Sequence, residues 1–201
     1  MKKIISLYQR NYDGDHCVRD EVTPGAEWVL AGEGRATRKW DGTACLVEGG
    51  KLFKRYHGKT QPPGFVAAQA VADPVTGHWP GWLPVSPDDP SDRWHREAFA
   101  EYGGDPGPDG TYELAGPKIN GNPEELSRHV LIAHVGAGGS SFAAHAPRTF
   151  DAIREWLARG DVEGIVWHHP DGRMAKIKKR DFGLSRKPGA TPTSDRVRGK
   201  R

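Results

Sequence analysis

The sequence predicts an α+β fold with mainly antiparallel sheets, and two hairpin signatures and one amphipathic segment point there. Thr43 to Val47 is rich in β-formers and Lys51 to Tyr56 alternates. Glu48-Gly49-Gly50 between them reads as a tight turn, because glycines accept positive φ. Val162 to His169 and Arg173 to Lys179 flank Pro170-Asp171-Gly172, where Pro presets the turn and Gly closes it. Thr149 to Arg159 reads as a capped helix: Ile153, Trp156 and Leu157 share a face and Gly160 follows.

The remaining elements follow in chain order. Residues 4–8 read as a first short strand, and 27–31 as another ahead of the glycine-bearing turn at 32–34. Between residues 61 and 110, Pro62-Pro63-Gly64, Pro80-Gly81-Trp82-Leu83-Pro84, Pro87-Asp-Asp-Pro90 and a Gly/Pro-rich run from Gly103 break regular structure. One helix from Asp92 to Tyr102, with Ser91 as N-cap and Gly103 beyond it, interrupts that stretch. Trp79, Trp82 and Trp94 argue that it packs on the domain. Thr111 to Leu114 and Val130 to Val135 read as strands. Gly136-Ala-Gly-Gly-Ser-Ser141 lacks the Gly-Lys-Ser/Thr ending of a phosphate loop and reads as a linker.

With 201 residues, 36% apolar and 27% charged, the chain suits one substantial domain with a buried core. That domain is expected over 1–184, followed by a basic, flexible tail over 185–201. The net charge of +3 allows a polyanionic partner without requiring one. Two cysteines, Cys17 and Cys45, in no paired spacing exclude a disulfide scaffold and a Cys-type zinc site. Met1-Lys-Lys-Ile-Ile-Ser-Leu is too short and too polar for a signal peptide, and no apolar run approaches membrane-spanning length. A cytoplasmic monomer is the expectation.

Four segments carry chemistry: Lys39-Trp40-Asp41-Gly42, Tyr112-Glu113-Leu114-Ala115-Gly116, Glu163-Gly164-Ile165-Val166 and Lys176-Ile177-Lys178. A lysine before Asp-Gly is by itself compatible with a solvated residue entering a turn. A free amine with pKa near ~10.4 is protonated and non-nucleophilic at neutral pH, and nearby cations or desolvation disfavour that form. Alternation puts Lys176 and Lys178 on one strand face, where such a pair can neutralise triphosphate oxygens and help lower the pKa of a third lysine facing them. The competing reading of that strand is a charged sheet edge. Glu163 enters an apolar run, which suits a hard divalent cation or an exposed strand end. Glu113 points away from Tyr112 and Leu114, hence into a groove if those two are core. Asp41 shares the face of Lys39 if a strand runs through both.

In this order and spacing the four segments resemble those of the covalent nucleotidyltransferases, the ATP-dependent ligases and mRNA capping enzymes. The flanks Ala36-Thr37, Gly81-Trp82-x-Pro84-Val85, Ile119-Asn120-Gly121-Asn122-Pro123 and Trp167-His168 are similar to one branch. That branch holds the vertebrate 5′-phosphate/3′-hydroxyl RNA ligase and its small bacterial and viral relatives. The resemblance runs from about 35 to 184. It implies the nucleotidyltransferase (ATP-grasp-like ligase adenylation) fold, two packed antiparallel sheets with flanking helices. It implies Lys39 as the adenylated nucleophile. ATP would be bound by Asp41, Gly42, Arg55, Glu113 (at the ribose), Lys176 and Lys178, and Glu163 would hold Mg²⁺ or Mn²⁺. The stacking aromatic for adenine is unassigned, with Phe142 and Phe150 as candidates. The implied substrate is RNA with 5′-phosphate and 3′-hydroxyl ends. Many relatives add a C-terminal OB or helical domain; here a short basic tail follows Gly183, so the domain itself or a partner grips the RNA. A capping-type guanylyltransferase and a non-catalytic RNA-binding module of the same fold are the alternatives.

Overall fold

The computed structural model describes residues 4–101, 108–134, 142 and 145–186. Twelve strands are distributed over sheets of four, six and two strands, with three short α-helices among the described residues. The class is α+β, as expected. The chain divides into two units, residues 1–3 with 40–138 and residues 4–39 with 139–201.

The second of these units holds the four-stranded sheet, in the order β1 (Ile5–Ser6), β12 (Met174–Lys178), β11 (Gly164–His168), β4 (Arg35–Lys39). All its pairings are antiparallel except β1 with β12, which is parallel. Strand alternation sends Ala36, Ile165, Trp167, Ala175 and Ile177 into one apolar core. Ile153 and Leu157 of α3 (Phe150–Arg159) join them, both fully buried. Phe150 packs edge-on against Tyr8 and Phe182, and Phe142 against Trp156, so both adenine-stacking candidates serve this core. A small hairpin of β2 (Tyr8–Arg10) and β3 (Val18–Val22) completes the strands of the unit.

Residues 27–31 correct an expectation. Glu27–Leu30 is a one-turn helix, α1, not a strand. Trp28 and Val29 are both buried, which adjacent residues achieve on a helix and not on a half-buried strand. The Glu27 carboxylate accepts from Gly25 N (2.9 Å), starting the turn. A four-residue apolar run is too short for periodicity to separate the two cases.

The other unit holds the six-stranded antiparallel sheet. Its order is β10 (Val130–Ala133), β9 (Gly110–Ala115), β5 (Thr43–Glu48), β6 (Lys51–Gly58), β8 (Trp79–Pro84), β7 (Val66–Ala67). Gly49 and Gly50, at φ 56° and 73°, form the predicted β5–β6 turn. Cys45, Val47, Leu52, Tyr112, Leu114 and Leu131 meet on one face with Ala98 of α2 (Arg93–Ala100). Burial raises the Cys45 thiol far above its usual range, as suits a core residue.

Strands β7 and β8 lie where the prolines were expected to break regular structure. The register explains why they do not. Pro80 O accepts from Ala68 N, so even-numbered residues of β8 turn their backbone groups toward the β7 side. Pro80 and Pro84 therefore take no donor from the β6 pairing. The helix expected over 92–102 is Arg93–Ala100, preceded by a 3-10 turn at Pro90–Asp92. The cap is Asp89, which accepts from Ser91 N (2.8 Å); Ser91 lies inside the turn. Gly103, the 136–141 linker and the tail beyond 186 lie outside the described residues.

Candidate active site

Four candidates gather in the unit with the four-stranded sheet. Lys39 is the last residue of β4, and Gly164 opens β11 opposite both Lys39 and Lys178. One step earlier, Glu163 enters between the two lysines. Its Oε2 is 2.5 Å from Lys39 Nζ and its Oε1 3.0 Å from Lys178 Nζ. All three side chains are 17–18% exposed. A Cβ on Gly164 would sit 2.0 Å from Ile177 O, so only glycine lets β11 pass this close to β12. Val166 pairs with Thr37 and Lys176, which continues the same face, where Thr37 Oγ1 meets His168 Nε2 at 2.9 Å.

Strand β12 lies between β1 and β11, so its lysines do not guard a sheet edge. Its end is fixed from behind: Asp181, 2% exposed, accepts from Lys178 N (2.9 Å) and pairs with Arg10.

Electrostatics follow from this crowding. Burial pushes the Glu163 carboxyl upward, but Lys39 and Lys178 outweigh it and hold the group below the usual carboxylate range. Lys176 is pushed down to about 8, first by burial and then by the like charges of Lys178 and Lys39. The lowered lysine of the cluster is thus Lys176, a member of the strand pair itself.

The remaining candidates lie in the unit with the six-stranded sheet. Tyr112 and Leu114 are core, and Glu113 takes the opposite face at 7% exposure, as alternation predicts. Ala44 pairs with Glu113, and on the same sheet Arg55 pairs with Trp82, whose ring centroid is 4.9 Å from the guanidinium. A Cβ on Gly42 would lie 2.2 Å from Leu114 O and 2.8 Å from Glu113 Cγ, so Gly42 keeps room beside the carboxylate.

Strand β4 stops at Lys39 and β5 starts at Thr43, so alternation does not carry Asp41 onto the face of Lys39. Instead Asp41 is held by the 119–125 loop. Asn120 Nδ2 donates to Asp41 Oδ1 (3.0 Å) and to Gly42 O (2.9 Å), and Asp41 N donates to Glu124 Oε1 (3.0 Å). That loop bends through three left-handed non-glycine residues, Asn120, Asn122 and Glu125, at φ 48–56°. Such conformations persist where surrounding bonds over-determine them. Asn122 is stapled at both ends of its amide to Leu126. The Asn-Gly-Asn composition signals a turn, but no local signal reveals that it clamps Asp41-Gly42.

Among the described residues no group of three or more His, Cys, Asp or Glu gathers as a metal centre. A single carboxylate still suits Mg²⁺, which keeps several waters and takes its other ligands from substrate phosphates. Glu163 fits that habit. No helix among the described residues is long and apolar enough to cross a membrane.

The chain is similar to known proteins over much of its length. The family model for RNA ligase 1 matches residues 108–196. RNA ligase 1 of Danio rerio is 32% identical to this chain over 74% of it and 67% of the relative. RNA ligase 1 of Rattus norvegicus is 30% identical over the same shares, and that of Mus musculus likewise. The chain belongs to the RNA ligase 1 family.

Proposed function

We propose that this protein is an ATP-dependent RNA ligase that joins 5′-phosphate and 3′-hydroxyl RNA ends through a lysyl-AMP at Lys39. The observation that carries the reading is the Lys39–Glu163–Lys178 arrangement, with Lys176 on the same sheet face. Lys39 Nζ attacks the α-phosphorus of ATP, a P–N bond forms, and pyrophosphate leaves. The AMP then passes to an RNA 5′-phosphate, and an RNA 3′-hydroxyl displaces it to form the phosphodiester. Before the first attack Nζ sheds a proton, and Glu163 Oε2, 2.5 Å away, holds the amine in position. Lys176 and Lys178 offset the charge of the phosphates. Mg²⁺ or Mn²⁺, held by Glu163 with phosphate oxygens, would polarise the attacked phosphate. Glu113 accepts from the ribose, and Arg55, Asp41 and Gly42 complete the nucleotide contacts. Residues 1–184 form the adenylation domain and 185–201 a basic tail.

Incubation with α-labelled ATP and Mg²⁺ is expected to leave a covalent adduct on the wild-type protein and none on Lys39→Ala. Equal labelling of both would overturn the reading. Preferential labelling by GTP would select a capping-type guanylyltransferase, and salt-sensitive RNA binding without any adduct a non-catalytic module.

The lowered pKa of Lys176 makes a second expectation. A lysine near pKa 8 loses its positive charge as pH rises through that value, so phosphate attraction weakens above it. The kcat/KM for adenylation is therefore expected to fall above pH about 8, since this ratio reports the free enzyme. Lys176→Arg keeps its charge and should shift the fall to higher pH. An unchanged profile in that variant would remove Lys176 from the phosphate contacts.

A further inference from the structure

Glu113 lies too deep for water to satisfy it fully, and a buried carboxylate needs hydrogen-bond donors. One of them is His134, the residue after β10. Its Nε2 is 2.9 Å from Glu113 Oε2. On the other side of the ring, Nδ1 is 3.0 Å from Thr111 Oγ1. The backbone of His134 is tied to the same place, because its N donates to Thr111 O (3.0 Å). Thr111 and Glu113 are two residues apart on β9, so both stand on the face opposite Tyr112 and Leu114.

The chemistry of the three groups orders them. A carboxylate only accepts, so Nε2 carries a proton toward Glu113. With the imidazole neutral, Nδ1 is then an acceptor and takes the Thr111 hydroxyl proton. Thr111 thus selects the tautomer that can hold Glu113. Oε2 is turned toward the histidine, while Oε1 makes no hydrogen bond among the described residues.

We propose that His134, locked by Thr111, is a positioning residue for Glu113, anchoring Oε2 so that Oε1 is presented to a ribose hydroxyl of the nucleotide. The assignment rests on the ribose reading of Glu113 given above. It makes His134 a determinant of sugar specificity, although it does not itself touch the nucleotide. A site built to bond a substrate hydroxyl discriminates against the analogue that lacks it, and it does so only while its acceptor is held in place.

The test compares kcat/KM for adenylation with ATP, 2′-deoxy-ATP and 3′-deoxy-ATP, each variant measured as one preparation. The ratio between nucleotides cancels the fraction of folded protein. Wild type is expected to prefer ATP over at least one deoxy analogue. Glu113→Gln should remove most of that preference. His134→Ala should reduce it about tenfold, the size expected for loosening a hydrogen bond to a charged group. Thr111→Val should reduce it in the same direction by less, and His134→Gln, which keeps an N–H, should retain part of it. If Glu113→Gln lowers the preference while His134→Ala and Thr111→Val leave it at the wild-type ratio, the positioning role is wrong and the ribose reading stands. If Glu113→Gln itself leaves the ratio unchanged, the ribose reading fails and takes the proposal with it.

Discussion

Glu163→Gln is expected to slow adduct formation on Lys39 by about 10²-fold or more, the scale of losing a charged group that positions the amine and would hold the metal. It is also expected to cost about 2 kcal/mol of stability, less than a fully buried pair because all three side chains keep some exposure. Both effects have one origin. A single carboxylate bridges two ammonium groups, and glutamine removes that bridging charge from beside Lys39, Lys178 and the nearby Lys176. The negative charge of Glu163 also supports the proton on Lys176, so the variant should push that lysine further below its value of about 8. Adduct kinetics with labelled ATP and urea unfolding measure the two consequences separately. Adenylation at the wild-type rate in a stably folded variant would show that Glu163 only balances charge.

The second large effect concerns stability, in the unit of the six-stranded sheet. Asp92 is 1% exposed and serves two partners: Oδ1 accepts from Lys54 Nζ (2.6 Å) and Oδ2 from Ser86 N (2.8 Å). Lys54 projects from β6 on the core side, opposite Cys45, and its side chain is about three-quarters buried. Asp92→Ala leaves that amine with the more exposed Asp89 at 3.6 Å and strands the Ser86 N–H. Breaking one partner from such a pair costs about 3 kcal/mol. For a chain of this size that corresponds to a melting point lower by roughly 6–12 °C. Asp92→Asn keeps an acceptor for Ser86 without the charge and should fall between the two. A loss below about 1 kcal/mol would mean that Lys54 is solvated after all.

The parts of the fold legible in the sequence are those whose cause is local. Gly49-Gly50 and Pro170-Asp171-Gly172 state their turns in a few residues, and Thr149 to Gly160 carries both its apolar face and its stop. The same holds for Glu113 and Lys176, whose orientation follows from alternation once the strand is recognised. What escaped depends on partners far along the chain. Trp79–Pro84 is a strand because β6 and β7 pair with it in a register that tolerates its prolines, and nothing within the segment announces that register. Glu27–Leu30 is helical because a preceding turn and two glycines bracket a run too short to carry a period. His134, Asn120 and Glu124 had no visible role because each acts on a residue 21 to 83 positions away.

The interleaving of the two large sheets dictates a timetable for biosynthesis. Every strand of the six-stranded sheet has been made once residue 133 leaves the ribosome, whereas the four-stranded sheet waits for residues 164–178 to join the much earlier segments 5–6 and 35–39. Domains fold as units during synthesis, and sheets that join distant segments form late. Throughout that interval Lys39 already exists, yet the carboxylate that balances it does not. The Lys39 amine therefore acquires its electrostatic setting only after residue 163 has been made, and a nascent chain arrested before that point carries Lys39 without the Glu163 carboxylate.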